Sequence, residues 1–158
     1  MGGWRTKDIF NTSFEVSLRI LIILNTVKNR VSAERITALD FISTYGKDFG
    51  VSEYNLHGNN SFRFSEYTLK RKIISESIKE LVVKGYVKPH CNKNGFNYSI
   101  SKNGTAFCET LNDNYAEEFA AMVTKANELY QDYSDRKLAH CINEYAVAMF
   151  GGKWRWVF

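Results

Sequence analysis

Three carboxylates near the most apolar helical stretches, Glu15, Asp40 and Glu66, are the first to weigh as a metal-binding or acid–base group. Glu15 stands at a capping position. Asp40 sits beside an apolar helix face, where pairing with Arg19 or Arg71 is the commoner role for a carboxylate. His57, His90, Cys91, Cys108 and Cys141 are the side chains that would bind a soft metal. Zinc sites show clustered pairs such as Cys-x2-Cys; here only His90 and Cys91 are adjacent, and neighbours on a strand face opposite ways. There is no phosphate-binding glycine loop, no nucleophile-elbow serine and no nuclease-like acid pair with a nearby lysine. The expectation is a protein that is not an enzyme and needs no metal or cofactor.

Binding chemistry is better represented. Between Arg63 and Lys102 there are nine Lys/Arg and three Glu, whereas from Asn103 to Phe150 eight acids face three bases. Such a split can mark a surface for nucleic acid or a charged partner. Lys70, Arg71, Lys79, Lys88 and Lys93 are the residues that would meet phosphates, without reading sequence. Lys72, Glu76 and Lys79 are spaced so that the glutamate can pair with both lysines, as on a solvated face. At the C-terminus, Trp154, Trp156 and Phe158 would share one side of an extended strand, with Arg155 and Val157 on the other. Such a tail can anchor a partner or fold back on its own core. The stretch Asn55-Leu56-His57 lies in a long connection, Lys47 to Phe64, of the kind that usually has a role; its histidine would hold the loop or meet a partner.

These residues need elements to place them. Asn11 to Val27 opens with Thr12 and, three residues on, Glu15, the capping-box spacing. It is apolar nearly all round from Leu18 to Leu24, which predicts a central, buried helix. Ser32 to Tyr45 predicts a second helix with Ile36, Leu39 and Ile42 on one face and Gly46 as its end. Ser65 to Lys84 predicts a third, capped by Ser65, with Tyr67, Ile74, Ile78, Leu81 and Val82 on one side. Tyr86 to Cys91 and Phe96 to Ile100 read as a hairpin with a type I′ Asn-Gly turn. A short helix follows from Ser101. Then come an amphipathic helix with Tyr115, Phe119, Met122, Ala126, Leu129 and Tyr133 on its stripe, and a last helix ended by Gly151-Gly152.

Helix, helix, helix, hairpin is the order of a winged helix. The expected fold is mainly α (α+β): a winged-helix-like domain over 1–112 with a hairpin wing, then a helical extension with an aromatic tail over 113–158, packed as one unit. The chain has 158 residues, 44% of them hydrophobic, enough for one core. Its first residues, MGGWRTKDIF, lack an apolar run, and three scattered cysteines give no disulfide framework, so a cytoplasmic protein is expected.

The ordered set Phe10-Asn11, Phe14-Glu15-Val16, Leu18-Arg19, Ile20-Leu21, Leu39-Asp40-Phe41, Tyr45-Gly46, Asn55-Leu56-His57-Gly58, Glu66, Arg71 and Gly85-Tyr86-Val87 resembles the middle components of bacterial ABC-type three-component systems. That family is similar to the small accessory subunit of Lamassu-type anti-phage systems. The resemblance implies a non-catalytic subunit that links an SMC-like ABC-type ATPase to an effector, often a nuclease, in a complex that senses foreign DNA. The other reading is a stand-alone winged-helix DNA-binding transcriptional regulator.

Overall fold

The structure, a computed structural model, describes residues 12–58 and 63–154, with side chains placed at 12–58 and 66–148. Helix α1 spans Ser13–Val27, and the Thr12 side chain accepts a hydrogen bond from the Glu15 backbone N–H at 3.2 Å. Val16 and every residue from Arg19 to Leu24 are buried, and α1 packs against the four helices that follow it up to Tyr130 and against the hairpin. It ends on Lys28, which takes the left-handed conformation (φ 59°) and donates its N–H to the Leu24 carbonyl. A residue with a Cβ costs about 1–2 kcal/mol in that conformation.

Helix α2, Ala33–Thr44, is capped by Ser32, whose hydroxyl accepts from the Arg35 N–H at 3.0 Å. A single apolar face was the expectation, but every residue from Arg35 to Thr44 is buried. The cause is its position, packed against α1 and three later helices. Its polar groups survive burial through internal partners: Thr37 and Thr44 donate to carbonyls one turn back, at 2.8 and 2.9 Å. The helix stops just before Gly46, as expected, with Tyr45 as its C-cap. Gly46 opens a 3-10 turn, Gly46–Phe49, which buries Phe49 and leads to the buried Val51.

Helix α3, Arg63–Val83, starts before Ser65, so Ser65 is not its cap. Tyr67, Ile74, Ile78 and Leu81 are buried as their spacing predicts. Among the described residues no ion pair joins Lys72, Glu76 and Lys79, a correction to the expected pairing. Exposed pairs at that spacing gain only about 0.3–0.5 kcal/mol, too little to fix long side chains.

Strands β1 (Val87–Asn92) and β2 (Gly95–Ile100) pair antiparallel from Val87↔Ile100 to Asn92↔Gly95. The turn is not type I′. Its central residues are Lys93 and Asn94, neither at positive φ, and the residue with positive φ is Gly95 (φ 117°). A bridge between Val31 and Tyr98, with N–H···O distances of 3.0 and 2.7 Å, sews the α1–α2 connection to β2.

Three helices follow: α4 (Lys102–Glu109), α5 (Asn114–Tyr130) and α6 (Asp135–Trp154). On α5 the buried stripe is Ala116, Phe119, Met122, Val123, Ala126 and Tyr130, while Leu129, expected inside, is half-exposed. Helix α6 runs through Gly151-Gly152 to Trp154, so the glycine pair weakens the helix without ending it. Phe119, Val123, Leu138 and Ile142 join Ile23, Leu39 and Phe41 in one core. Arg35 clasps the last two helices, donating to the Tyr133 and Tyr130 carbonyls at 2.5 and 2.8 Å and lying 3.6 Å from Asp135. The fold is mainly α with one hairpin, and no helix among the described residues is long and apolar enough to cross a membrane.

Helix α4 crosses the hairpin closely. A Cβ on Gly104 would lie 2.4 Å from the Tyr86 carbonyl oxygen and 2.6 Å from Ile100 Cγ1. Backbone cannot yield as a side chain tip can, so Gly104→Ala is expected to cost about 2–3 kcal/mol. Chemical denaturation checks this; an unchanged midpoint would refute the close crossing.

Candidate functional site

Three charged side chains fall at core positions of three helices. Arg19 of α1, Asp40 of α2 and Lys70 of α3 are 0, 1 and 2% exposed. Arg19 Nε donates to Asp40 Oδ1 at 2.7 Å, and Lys70 Nζ donates to Asp40 Oδ2 at 3.0 Å and to Thr44 Oγ1 at 3.4 Å. The Arg19 guanidinium also reaches the Tyr115 hydroxyl of α5. That hydroxyl lies 2.6 Å from His57 Nε2, in the connection before α3. The hydroxyl thus stands between the guanidinium and the imidazole and hydrogen-bonds to both. Nearby, the Tyr45 hydroxyl donates to Glu66 at 2.6 Å. A continuous polar chain, Lys70–Asp40–Arg19–Tyr115–His57, thus joins four helices and the long connection.

Burial alone would raise the Asp40 carboxyl, but the Arg19 and Lys70 charges outweigh it and hold it well below the usual carboxylate range. Burial pulls Lys70 down, with Asp40 opposing and Arg19 adding. Burial, then the Lys70 and Arg19 charges, push the His57 imidazole down to about 2. Burial pushes the Tyr115 hydroxyl up to about 12. Asp40 is therefore ionised and His57 neutral at physiological pH. This is an arrangement for holding parts together: both Asp40 oxygens, the Lys70 ammonium and the Tyr115 hydroxyl are turned to other groups of the chain.

The sequence-derived candidates separate on this frame. Asp40 pairs with Arg19 as one of its expected alternatives; Arg71 instead pairs with Glu34 at the surface. Lys70 leaves the phosphate-contact set, because its ammonium is inside the core against Asp40. Arg71, Lys79, Lys88 and Lys93 are exposed. Asn55 is buried and accepts from the Lys47 N–H at 2.9 Å; Leu56 is half-buried against the core, and His57 faces Tyr115. These side chains close the loop onto the body. Outward stand Glu53 and Tyr54, the latter donating to Glu118 at 3.2 Å. Trp154 is the last residue of α6, so it cannot open an extended strand; Arg155, Trp156 and Phe158 lie outside the described residues. Among the described residues no three His, Cys, Asp or Glu side chains gather in a way that could hold a metal. The buried roles of Arg19 and Lys70 had a signal: Arg19 falls three residues after Val16 and four before Ile23, and Lys70 three after Tyr67 and four before Ile74.

Removing the anion should hurt far more than removing a cation. Asp40→Asn leaves two buried cations facing each other and is expected to cost about 3–5 kcal/mol. Lys70→Met keeps the Arg19–Asp40 pair and should cost clearly less; equal midpoints in urea would refute the scheme. The histidine gives a pH signature. Unfolded, His57 binds a proton below about pH 6.5, whereas folded it does so only near 2. The unfolded chain therefore binds more protons across that window, and stability, complete above it, falls as pH drops, by up to about 1.4 kcal/mol per pH unit. Asp40 adds to the fall only below about pH 3.8. His57→Asn should flatten the stability profile between about pH 6 and 5, read by denaturant melts at each pH.

No curated protein and no solved structure matches the chain. Residues 9–151 match the family described as ABC-three component (ABC-3C) system Middle Component 2, a span that takes in the whole charge chain from Arg19 to Tyr115 and every described helix but the last turn of α6. The protein therefore belongs to the Middle Component 2 family and is an accessory middle component of an ABC-three component system, whose partners are the system's other subunits.

Proposed function

We propose that this middle component is a non-catalytic, cytoplasmic bridge between an SMC-like ABC-type ATPase and an effector nuclease in an anti-phage complex of the Lamassu kind, holding the effector until foreign DNA is sensed. The family match over residues 9–151 carries this reading. The side-chain chemistry supports it, since Asp40, Lys70 and His57 are spent on tying the subunit's own helices together. What is left outside is contact surface: Leu69 and Val83 of α3 are 67 and 86% exposed, and Tyr54 fronts the long loop. In the bridge, the loop Asn55-Leu56-His57 presents Tyr54 to a partner while its own side chains fix its shape. The tail Trp154, Arg155, Trp156 and Phe158 supplies anchors.

A stand-alone regulator of winged-helix type is the second reading, favoured by the helix–bridge–helix–helix–hairpin order with Val31 paired to Tyr98. Against it, residues 45–62 separate the second and third helices, where a DNA-reading helix-turn-helix has a short turn.

The chain, tagged and co-expressed with its two neighbouring genes, is expected to elute as a complex whose mass includes a long coiled-coil ATPase. Truncation after Gly151 should release at least one partner. A lone monomer, with ATP and DNA present, would overturn the bridge; an intact complex after truncation would remove the tail from it.

A further inference from the structure

Beside the hairpin lies a groove of about 530 Å³ between the end of α1, the residues before the Val31 bridge and the outer side of β1. It is lined by Lys28, Arg30, Lys88 and His90, with Ser99 and Thr105 among its neutral polar groups, and no acid lines it. Among the described residues Lys28, Arg30 and Lys88 make no ion pair, although elsewhere Arg19, Arg35, Lys70 and Arg71 all do. Cations that share a concavity without a counter-charge raise its potential and favour an anion there. The His90 imidazole registers that field: partial burial, then Arg30 and Lys88, hold it below its ordinary value. The carbonyl end of α1 opposes an anion with roughly half a charge, which three full cations outweigh. Lys28 adds an independent sign, since it holds the left-handed position at the helix end where glycine would sit without strain.

We propose that this groove binds the phosphate backbone of duplex DNA. Ser99 is held by His90 at 2.7 Å, while the Asn25, Asn29 and Thr105 side chains offer neutral donors that suit phosphate oxygens, and no Phe, Tyr or Trp lines the groove to stack on a base, so the contact is sequence-independent. Lys93, exposed at the turn of the same hairpin, is a further cation outside the groove, and several cations on one hairpin fit a polyanion of repeating charge better than one carboxylate. Two of the groove's cations, Lys28 and Arg30, come from the α1–α2 connection, outside the basic middle of the sequence. The inference goes beyond the bridging role and fails separately from it.

The test is fluorescence anisotropy with labelled duplexes of unrelated sequence, on the full chain and on the complex that co-elutes with it. Each phosphate contact contributes about 0.9 to the slope of log affinity against log salt, so a fourfold rise in salt should cost the parent about 40-fold more affinity than the triple variant Lys28→Gln, Arg30→Gln, Lys88→Gln. Lys28→Gly should weaken binding while raising the melting temperature, which separates ligand contact from folding. Lys125→Gln, at an exposed position on α5, should change neither. Co-elution with the neighbouring subunits should survive the triple variant. The proposal is overturned if neither chain nor complex binds DNA at low salt, if the triple variant keeps the parent's affinity and salt slope, if a poly-glutamate peptide competes as well as DNA, or if the triple variant releases a subunit, which would make the groove a protein interface.

Discussion

Asp40 is a single carboxylate, out of contact with water, that answers two cations from different helices. Placing any one of these charges in the interior alone would be prohibitive, so the burial of each depends on the presence of the others. That mutual dependence sets the mutual arrangement of α1, α2 and α3 more tightly than apolar packing would. Isoleucines and leucines at Ile20, Ile23, Ile36 and Leu39 tolerate small slides past one another; a 2.7 Å hydrogen bond between two ions does not. The aromatic wall around Lys70 serves the same end. Its ammonium lies 5.7 Å from the ring centres of both Phe41 and Tyr45, which soften its burial from the sides that Asp40 does not cover.

Tyr115 carries the constraint outward. Its ring lies nearly parallel to those of both Phe119 and His57, and its hydroxyl closes the path from arginine to imidazole. The helices after residue 113 are therefore bound to the first three by an ionic thread and by the Arg35 clasp, besides shared apolar surface. A subunit built this way presents its surroundings with a firm body.

Much of this was legible in the sequence, and the misses have physical reasons. Thr12, Ser32, Ser101 and Asp113 all cap helices by accepting a backbone N–H, because a short polar side chain before an apolar run has few other uses. The hairpin was legible from two short runs flanking an Asn-Gly pair; its turn type was not, since Asn-Gly can stand one residue later than the I′ positions. Lys70 was hidden by its neighbours. In Lys70-Arg71-Lys72 three identical charges suggest one solvated patch, yet at 100° per residue the first points inward and the other two outward. The enclosure of α2 was equally hidden, because Thr37, Asp40, Ser43 and Thr44 look like a polar face until three other helices are folded over them. The basic groove could not be read at all. Its cations come from residues 28–30 and 88–90, far apart in the chain, and only the Val31–Tyr98 bridge brings them side by side.

The connection from Tyr45 to the start of α3 is the longest in the described chain, and long connections are ordinarily where a protein opens first. Here the His57 amide is held by the Thr44 carbonyl at 3.2 Å and the His57 ring by Tyr115, while Asn55 is pinned to the Lys47 amide. Amide protons in residues 55–58 should consequently exchange with solvent on the timescale of global opening rather than of loop breathing. In hydrogen-exchange terms this segment behaves as part of the slowest cooperative unit, and local fluctuation falls instead to the hairpin tip at Lys93 and Asn94.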